Sequence, residues 1–341
     1  VGSDPPLKRG RANRQREAPT THQAPSGPQA CPVTPADPLA PIEAWFQQKG
    51  WTPMTFQRRC WQAFLQGRSG LLQVPTGSGK TYAAVMGPIA ELLAEAQKQE
   101  QPSAPTGPEG TRVSLGTGKN NKPGGAARGA PRVAGAEGIA LLILTPLRAL
   151  GRDLALAIRE PIEAMGWPLR VGLRNGDTPS AERNRQLKAP PEILITTPES
   201  LALLLSGPHA ERLFGRLRAV VIDEWHELLG SKRGSQAELC LGWLRRLRPE
   251  LRTWAISATI GNLEEAARAA VGTDHEPEII TASLERRTSI RSLLPEAIDG
   301  FPWAGHLGLR MHEVLVAALD PRVSTLLFTN TRNQAERWFQ C

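Results

Sequence analysis

The chain has 341 residues, room for two or three domains at roughly 100–200 residues each. Its 40% hydrophobic and 22% charged composition fits a globular protein, and its net charge of +8 excludes an acidic solvating chain while leaving a polyanionic partner open. Cys31, Cys60, Cys240 and Cys341 stand singly, the longest apolar run (139–144) is far short of the ~18 residues of a membrane span, and the first residues of the sequence hold no apolar signal core, so neither a disulfide scaffold, nor a membrane span, nor secretion is expected.

Residues 1–38 read as a disordered tail, rich in Pro, Thr, Ala and Gln and free of aromatic residues. The basic cluster from Lys8 to Arg16 is either a solvated tail or an arm that touches phosphates. Residues 95–138, rich in Gly, Pro and Ala, read as a second disordered segment, inserted within a domain; such inserts are tolerated because loop-closure entropy grows only logarithmically with length.

Between and beyond these segments, strand and helix alternate. Apolar runs at 70–74, 139–145, 192–196, 219–223, 253–257 and 278–281 read as buried strands. Helical patterns fill 81–97, 148–165, 198–205 and 263–271. That alternation predicts an α/β fold: a parallel sheet covered by helices on both faces, with ligands at the carboxyl ends of its strands.

The residues that follow the strands carry chemistry. After the first predicted strand comes PTGSGKT (75–81). Thr76, Gly77, Ser78 and Gly79 form a loop whose amides can cradle a phosphate, Lys80 can reach β- and γ-phosphates, and the Thr81 hydroxyl can ligate Mg²⁺. Val74 stands where the full phosphate-loop pattern has its first glycine, so this is the variant that opens Pro-Thr-Gly. After the fourth predicted strand come Asp223, Glu224, Trp225 and His226. Asp223 can hold Mg²⁺ and Glu224 can deprotonate a water, although a helix cap with a first-turn acid would look the same. After the fifth come Ser257-Ala258-Thr259, which alone read as helix capping before Asn262. Trp supplies 9 residues against 7 Phe and 1 Tyr, a composition read here as core and interface packing rather than a base-stacking platform.

In series, PTGSGKT, DEWH and SAT resemble motifs I, II and III of superfamily 2 helicases of the DExH type. TPLRAL (145–150), TTPESL (196–201) and LLFTNTR (326–332) resemble motifs Ia, Ib and IV, the last read as a strand. RNGDT (174–178) and FPWAGHLGL (301–309) are similar to strings of the large-helicase-related branch, and within it of bacterial ligase-associated DNA damage response helicases. The resemblance implies two RecA-like domains, the first over 39–284 and the second begun at 285–341, with ATP and Mg²⁺ between them. Motifs V and VI do not occur, so the chain is expected to be the N-terminal part of a longer protein.

The resemblance also assigns roles. It implies that Gln57 reads adenine, that Lys80, Glu224 and His226 are catalytic, and that His226 also joins Ser257 and Thr259 in coupling the nucleotide to the DNA-facing motifs. DNA contacts are implied for Thr145, Pro146 and Arg148, for Gly176, Asp177 and Thr178, and for Thr197, Pro198 and Glu199. Single-stranded or tailed DNA (or RNA) is the implied partner, with DNA ligase or repair proteins beside it. A bacterial, cytoplasmic, nucleoid-associated location is implied as well. An ATPase that moves on duplex without separating strands, a small-molecule kinase and a catalytically silent nucleic-acid-binding module are the competing expectations.

Overall fold

The computed structural model describes residues 37–100, 138–283, 289–293 and 311–340. The expected tail lies outside these residues except for positions 37 and 38, as does the expected insert except for 95–100 and 138. The string at 301–309 also lies outside the described residues.

The chain divides into two units, Val1–Ala282 and Ser283–Cys341. The first is built on seven strands: β1 (Gly70–Gln73), β2 (Leu141–Leu144), β3 (Val171–Arg174), β4 (Ile193–Thr196), β5 (Ala219–Ile222), β6 (Arg252–Ser257) and β7 (Glu278–Thr281). They form one sheet in the order β3-β4-β2-β5-β6-β1-β7. Every pairing is parallel. Six of these strands are the predicted ones; β3 is additional. It lies at the sheet edge, and of its VGLR only Gly172 is buried, so no apolar run marks it.

Alternation along the strands sorts side chains to two cores. Leu141 and Ile143 of β2 join one apolar cluster with Trp45, Trp61 and Trp254, while Leu142 and Leu144 join the other with Trp225 and Phe214. Helices α1 (Ala40–Gln48), α2 (Thr55–Leu65), α3 (Lys80–Glu100) and α4 (Arg148–Met165) cover the first face. The opposite face is covered by α6 (Pro198–Leu205), α7 (Ala210–Phe214), α8 (Trp225–Leu228), α9 (Lys232–Leu247) and α10 (Leu263–Val271), while α5 (Ser180–Lys188) follows β3. Trp45, Trp61, Trp167, Trp225 and Trp254 are buried, as expected of core packing, whereas Trp51 and Trp243 are exposed.

Two expectations are corrected. Helix α3 runs to Glu100, into the segment expected to be structureless from 95, because ELLAEAQKQE keeps strong helix formers and buries Leu92, Leu93 and Ala96. In the second unit, described by α11 (His312–Ala318) and α12 (Arg332–Gln340), residues 326–332 form no strand. A strand needs neighbours to pair with, and none occurs among the described residues of that unit; Phe328 is 84% exposed.

Candidate functional site

Sheet order brings the motifs together in space. β6 lies between β5 and β1, so the loops carrying DEWH, SAT and PTGSGKT are neighbours along one half of the carboxyl edge. β4, β2 and β3 place TTPESL, TPLRAL and RNGDT along the other half.

At the first half, the Val74 amide donates to the Ser257 carbonyl at 3.1 Å, which pins the base of the phosphate loop to β6. Gly77 and Gly79 take φ of 74° and 79°, which L side chains rarely adopt. A Cβ at Gly79 would also lie 2.7 Å from Gln57 Nε2. Gln57 is buried, donates to the Gly79 carbonyl at 3.0 Å and accepts from the Met54 amide at 2.9 Å. Its carboxamide is thus a brace between the first turn of α2 and the phosphate loop. One N–H and one lone pair are left over, by valence, for a base.

Lys80 opens α3 and is buried; its Nζ lies 2.5 Å from Glu224 Oε1. Glu224 has φ 48°, ψ 52° at the start of α8, the left-handed region that a non-glycine enters only at a cost of roughly 1 kcal/mol. The strained turn aims its carboxylate at the loop rather than onward along the helix. Asp223, also buried, has its carboxyl pushed up, first by burial and then by the neighbouring Glu224 charge. Three buried oxygens here have no hydrogen-bond partner: Ser78 Oγ, Asp223 Oδ1 and Glu224 Oε2. Buried acceptors without partners are costly, so this cluster suits a ligand that brings cations and donors. Among the described residues no group of three or more His, Cys, Asp or Glu could hold a metal alone. That fits Mg²⁺, which is commonly held by one or two protein oxygens plus substrate phosphates.

The coupling residues divide. Ser257 Oγ lies 3.0 Å from His226 Nδ1, which is 3.6 Å from Glu224 Oε2, too long for a hydrogen bond. His226 therefore links β6 to the DEWH turn. Thr259 contributes only its carbonyl, 3.4 Å from Ser257 Oγ, while its side chain is exposed. Trp225 packs as expected, buried with Nε1 donating to the Ala266 carbonyl at 2.9 Å.

The second half holds a cleft of about 740 Å³. Pro146, Arg148, Gly176, Thr197 and Glu199, for which DNA contacts were expected, line it. Thr145, Asp177, Thr178 and Pro198 do not line it. The Thr145 side chain is buried, and its hydroxyl donates to the Leu147 carbonyl at 3.4 Å. Thr178 spends its hydroxyl inside the turn, accepting from the Asn175 amide at 2.9 Å, and Pro198 is buried as the first residue of α6. Thr197 caps that helix, its hydroxyl accepting from Ser200.

Three arginines of the cleft were missed by sequence reading: Arg174, Arg183 and Arg233. Arg183 and Arg233 lie on α5 and α9, helices not predicted. The signal for α9 was present, in the Ser231 cap and in Ala237, Cys240, Leu241 and Leu244 at helical spacing. Exposed Leu239 and Trp243 blur that stripe.

The model of the DEAD/DEAH box helicase family matches residues 54–266, well over half of the chain. The chain belongs to the DEAD/DEAH box helicase family. The ATP-dependent helicase Lhr-Core of Methanocaldococcus jannaschii is 31% identical over 309 residues, 87% of this chain and 32% of that protein. The Lhr helicase/uracil glycosylase of Escherichia coli is 31% identical over 86% of the chain and 19% of its own length. Among solved structures, the Mycobacterium smegmatis helicase Lhr bound to ssDNA and AMP-PNP aligns with a TM-score of 0.66 at 28% identity, over 89% of this chain and 36% of that one. The chain thus spans about a third or less of these relatives, and the helicase domain has the RecA-like fold expected of it. No helix among the described residues is long and apolar enough to cross a membrane.

Proposed function

We propose that this chain supplies the nucleotide-binding part of an ATP-dependent DNA helicase or translocase that moves on single-stranded DNA. The observation that carries the reading is the buried cluster in which Lys80 pairs with Glu224 while Ser78 Oγ, Asp223 Oδ1 and Glu224 Oε2 stay unpartnered. Thr81 and Asp223 would hold Mg²⁺, which when bound neutralises charge on the β- and γ-phosphates. Lys80 exchanges Glu224 for the γ-phosphate when ATP binds. That exchange frees the Glu224 carboxylate to accept the proton of the attacking water. Base activation is thereby tied to occupancy of the loop. Ser257 and His226 feel the change at Glu224 and pass it to β6. The arginine cleft grips the strand by its phosphates, which position without reading sequence. Family likeness extends the proposal to DNA repair, to a DNA ligase or repair partner, and to the bacterial cytoplasm near the nucleoid. The test is ATP turnover by the full-length protein with and without single-stranded DNA. Stimulation by the strand supports the reading; turnover indifferent to any nucleic acid overturns it.

A further inference from the structure

The four arginines of the cleft are held in two different ways. Arg174 donates to the Arg183 carbonyl at 3.1 Å, and Arg183 to the Asn175 and Gly176 carbonyls at 3.1 and 2.9 Å, so both brace the backbone. Arg148 and Arg233 instead meet carboxylates. Arg148 Nη1 lies 2.8 Å from Asp177 Oδ1, with side chains 61% and 47% exposed. Arg233 engages Glu199 twice, Nε at 2.5 Å and Nη2 at 3.2 Å. These hydrogen bonds hold the Glu199 carboxyl well down, at about 2, so it remains charged.

The Arg148–Asp177 pair has no evident structural purpose, and Glu199, a first-turn acid of α6 that also accepts from its own backbone amide, would serve that helix without Arg233. Exposed ion pairs add little stability. The Asp177 turn is fixed by other bonds, its amide donating to Asn175 Oδ1 at 3.0 Å, and α6 is capped by Thr197 rather than Glu199. The Arg148 guanidinium lies close over the bare backbone of Gly176, where a Cβ would come within 2.6–2.7 Å of it. In a groove for a polyanion, two acids placed against the two exposed arginines oppose binding. They repel phosphate and occupy the groups that would hold it.

We infer that Asp177 and Glu199 are counter-charges that set the grip of the groove: each holds one arginine in the free protein and yields it to a strand phosphate. The inference rests on the reading of this cleft as the nucleic-acid groove. Its consequence is a grip weak enough to be released at each step. The displaced carboxylate must take up a cation when its arginine leaves. That uptake offsets part of the counterion release that drives binding, and so flattens the salt dependence.

The test is binding of a fluorescent single-stranded oligonucleotide to the full-length protein across a NaCl series, without nucleotide. Asp177→Asn and Glu199→Gln should each tighten binding about two- to fivefold at low salt, the worth of an exposed ion pair. Each should also steepen the slope of log K against log salt, by up to ~0.7 per acid removed. Arg148→Ala and Arg233→Ala should weaken binding. If the arginine variants weaken it but both acid variants bind no tighter with unchanged slopes, the inference fails and the groove stands. If the arginine variants bind like the parent, the groove reading fails and takes the inference with it. The two acids lie on separate elements, so disruption of the Asp177 turn would leave Glu199→Gln to decide.

Discussion

The two halves of the carboxyl edge treat charge in opposite ways. Over β5, β6 and β1 the polar atoms are buried, and Ser78 Oγ, Asp223 Oδ1 and Glu224 Oε2 lack partners. Over β3, β4 and β2 Arg148 is exposed and Arg174, Arg183 and Arg233 are half-buried; each has a partner in place, although Arg183 Nε is buried without one. A catalytic half must exclude water and keep its acceptors ready for one ligand, at a cost in stability. On the proposed reading the other half grips a moving strand and must let go, and there Arg148 and Arg233 are met in advance by carboxylates within reach of solvent, where pairing is weak.

The largest expected effect tests the buried half. Glu224→Gln should retain nucleotide binding, since Asp223 is untouched, while turnover of the full-length protein falls by about 10²–10⁴, the usual loss on removing a general base. Unchanged turnover would remove Glu224 from the chemistry and leave its left-handed turn unexplained. Lys80→Ala should act on binding instead, weakening ATP roughly ten- to hundredfold, the worth of a charged hydrogen bond. Calorimetric titration separates the two variants.

A smaller effect sharpens the boundary between the halves. Ser257 joins the SAT loop to His226 through one hydrogen bond. Ser257→Ala should cut the ratio of DNA-stimulated to unstimulated turnover about fivefold, the value of one neutral hydrogen bond. If that ratio holds, the link through His226 does not couple the halves.

The smallest effect lies at the opposite edge of the sheet. Glu278 has both oxygens paired, with Arg59 at 2.6 Å and Arg68 at 2.8 Å. Hydrogen bonding from Arg59, then from Arg68, holds its carboxyl below the ordinary range. A lowered carboxyl contributes stability above its unfolded value, about 4.3, and loses it as pH falls through the lower folded value. Glu278→Gln should cost no more than about 1 kcal/mol at neutral pH, less in acid, and should leave turnover unchanged. Thermal melts against pH, with the turnover assay alongside, check it.

Legibility in the sequence follows the same division. Lys80, Asp223, Glu224 and Ser257 were readable because each sits in a short string directly after a buried strand, and buried parallel strands announce themselves as apolar runs. The left-handed turn at Glu224 was not readable, because nothing in the residue type demands it. The adenine contact expected of Gln57 rests on likeness alone, and its brace onto Gly79 is a tertiary contact across 22 positions. In the cleft, Arg148 was singled out because it lies within the TPLRAL string. Arg174 ends an edge strand with no apolar run, and Arg183 and Arg233 lie on helices whose apolar stripes are short or interrupted by exposed Leu239 and Trp243.

On the proposed function, the buried, unpartnered oxygens Ser78 Oγ, Asp223 Oδ1 and Glu224 Oε2 form a seat for Mg²⁺ and nucleotide. An ATP titration of the chain and of its Asp223→Asn variant, each with Mg²⁺ and with EDTA, tests this directly. Mg²⁺ should strengthen binding to the parent chain, and the variant should lose most of this gain while still binding nucleotide through the loop. An equal response to Mg²⁺ in the two proteins would rule the seat out.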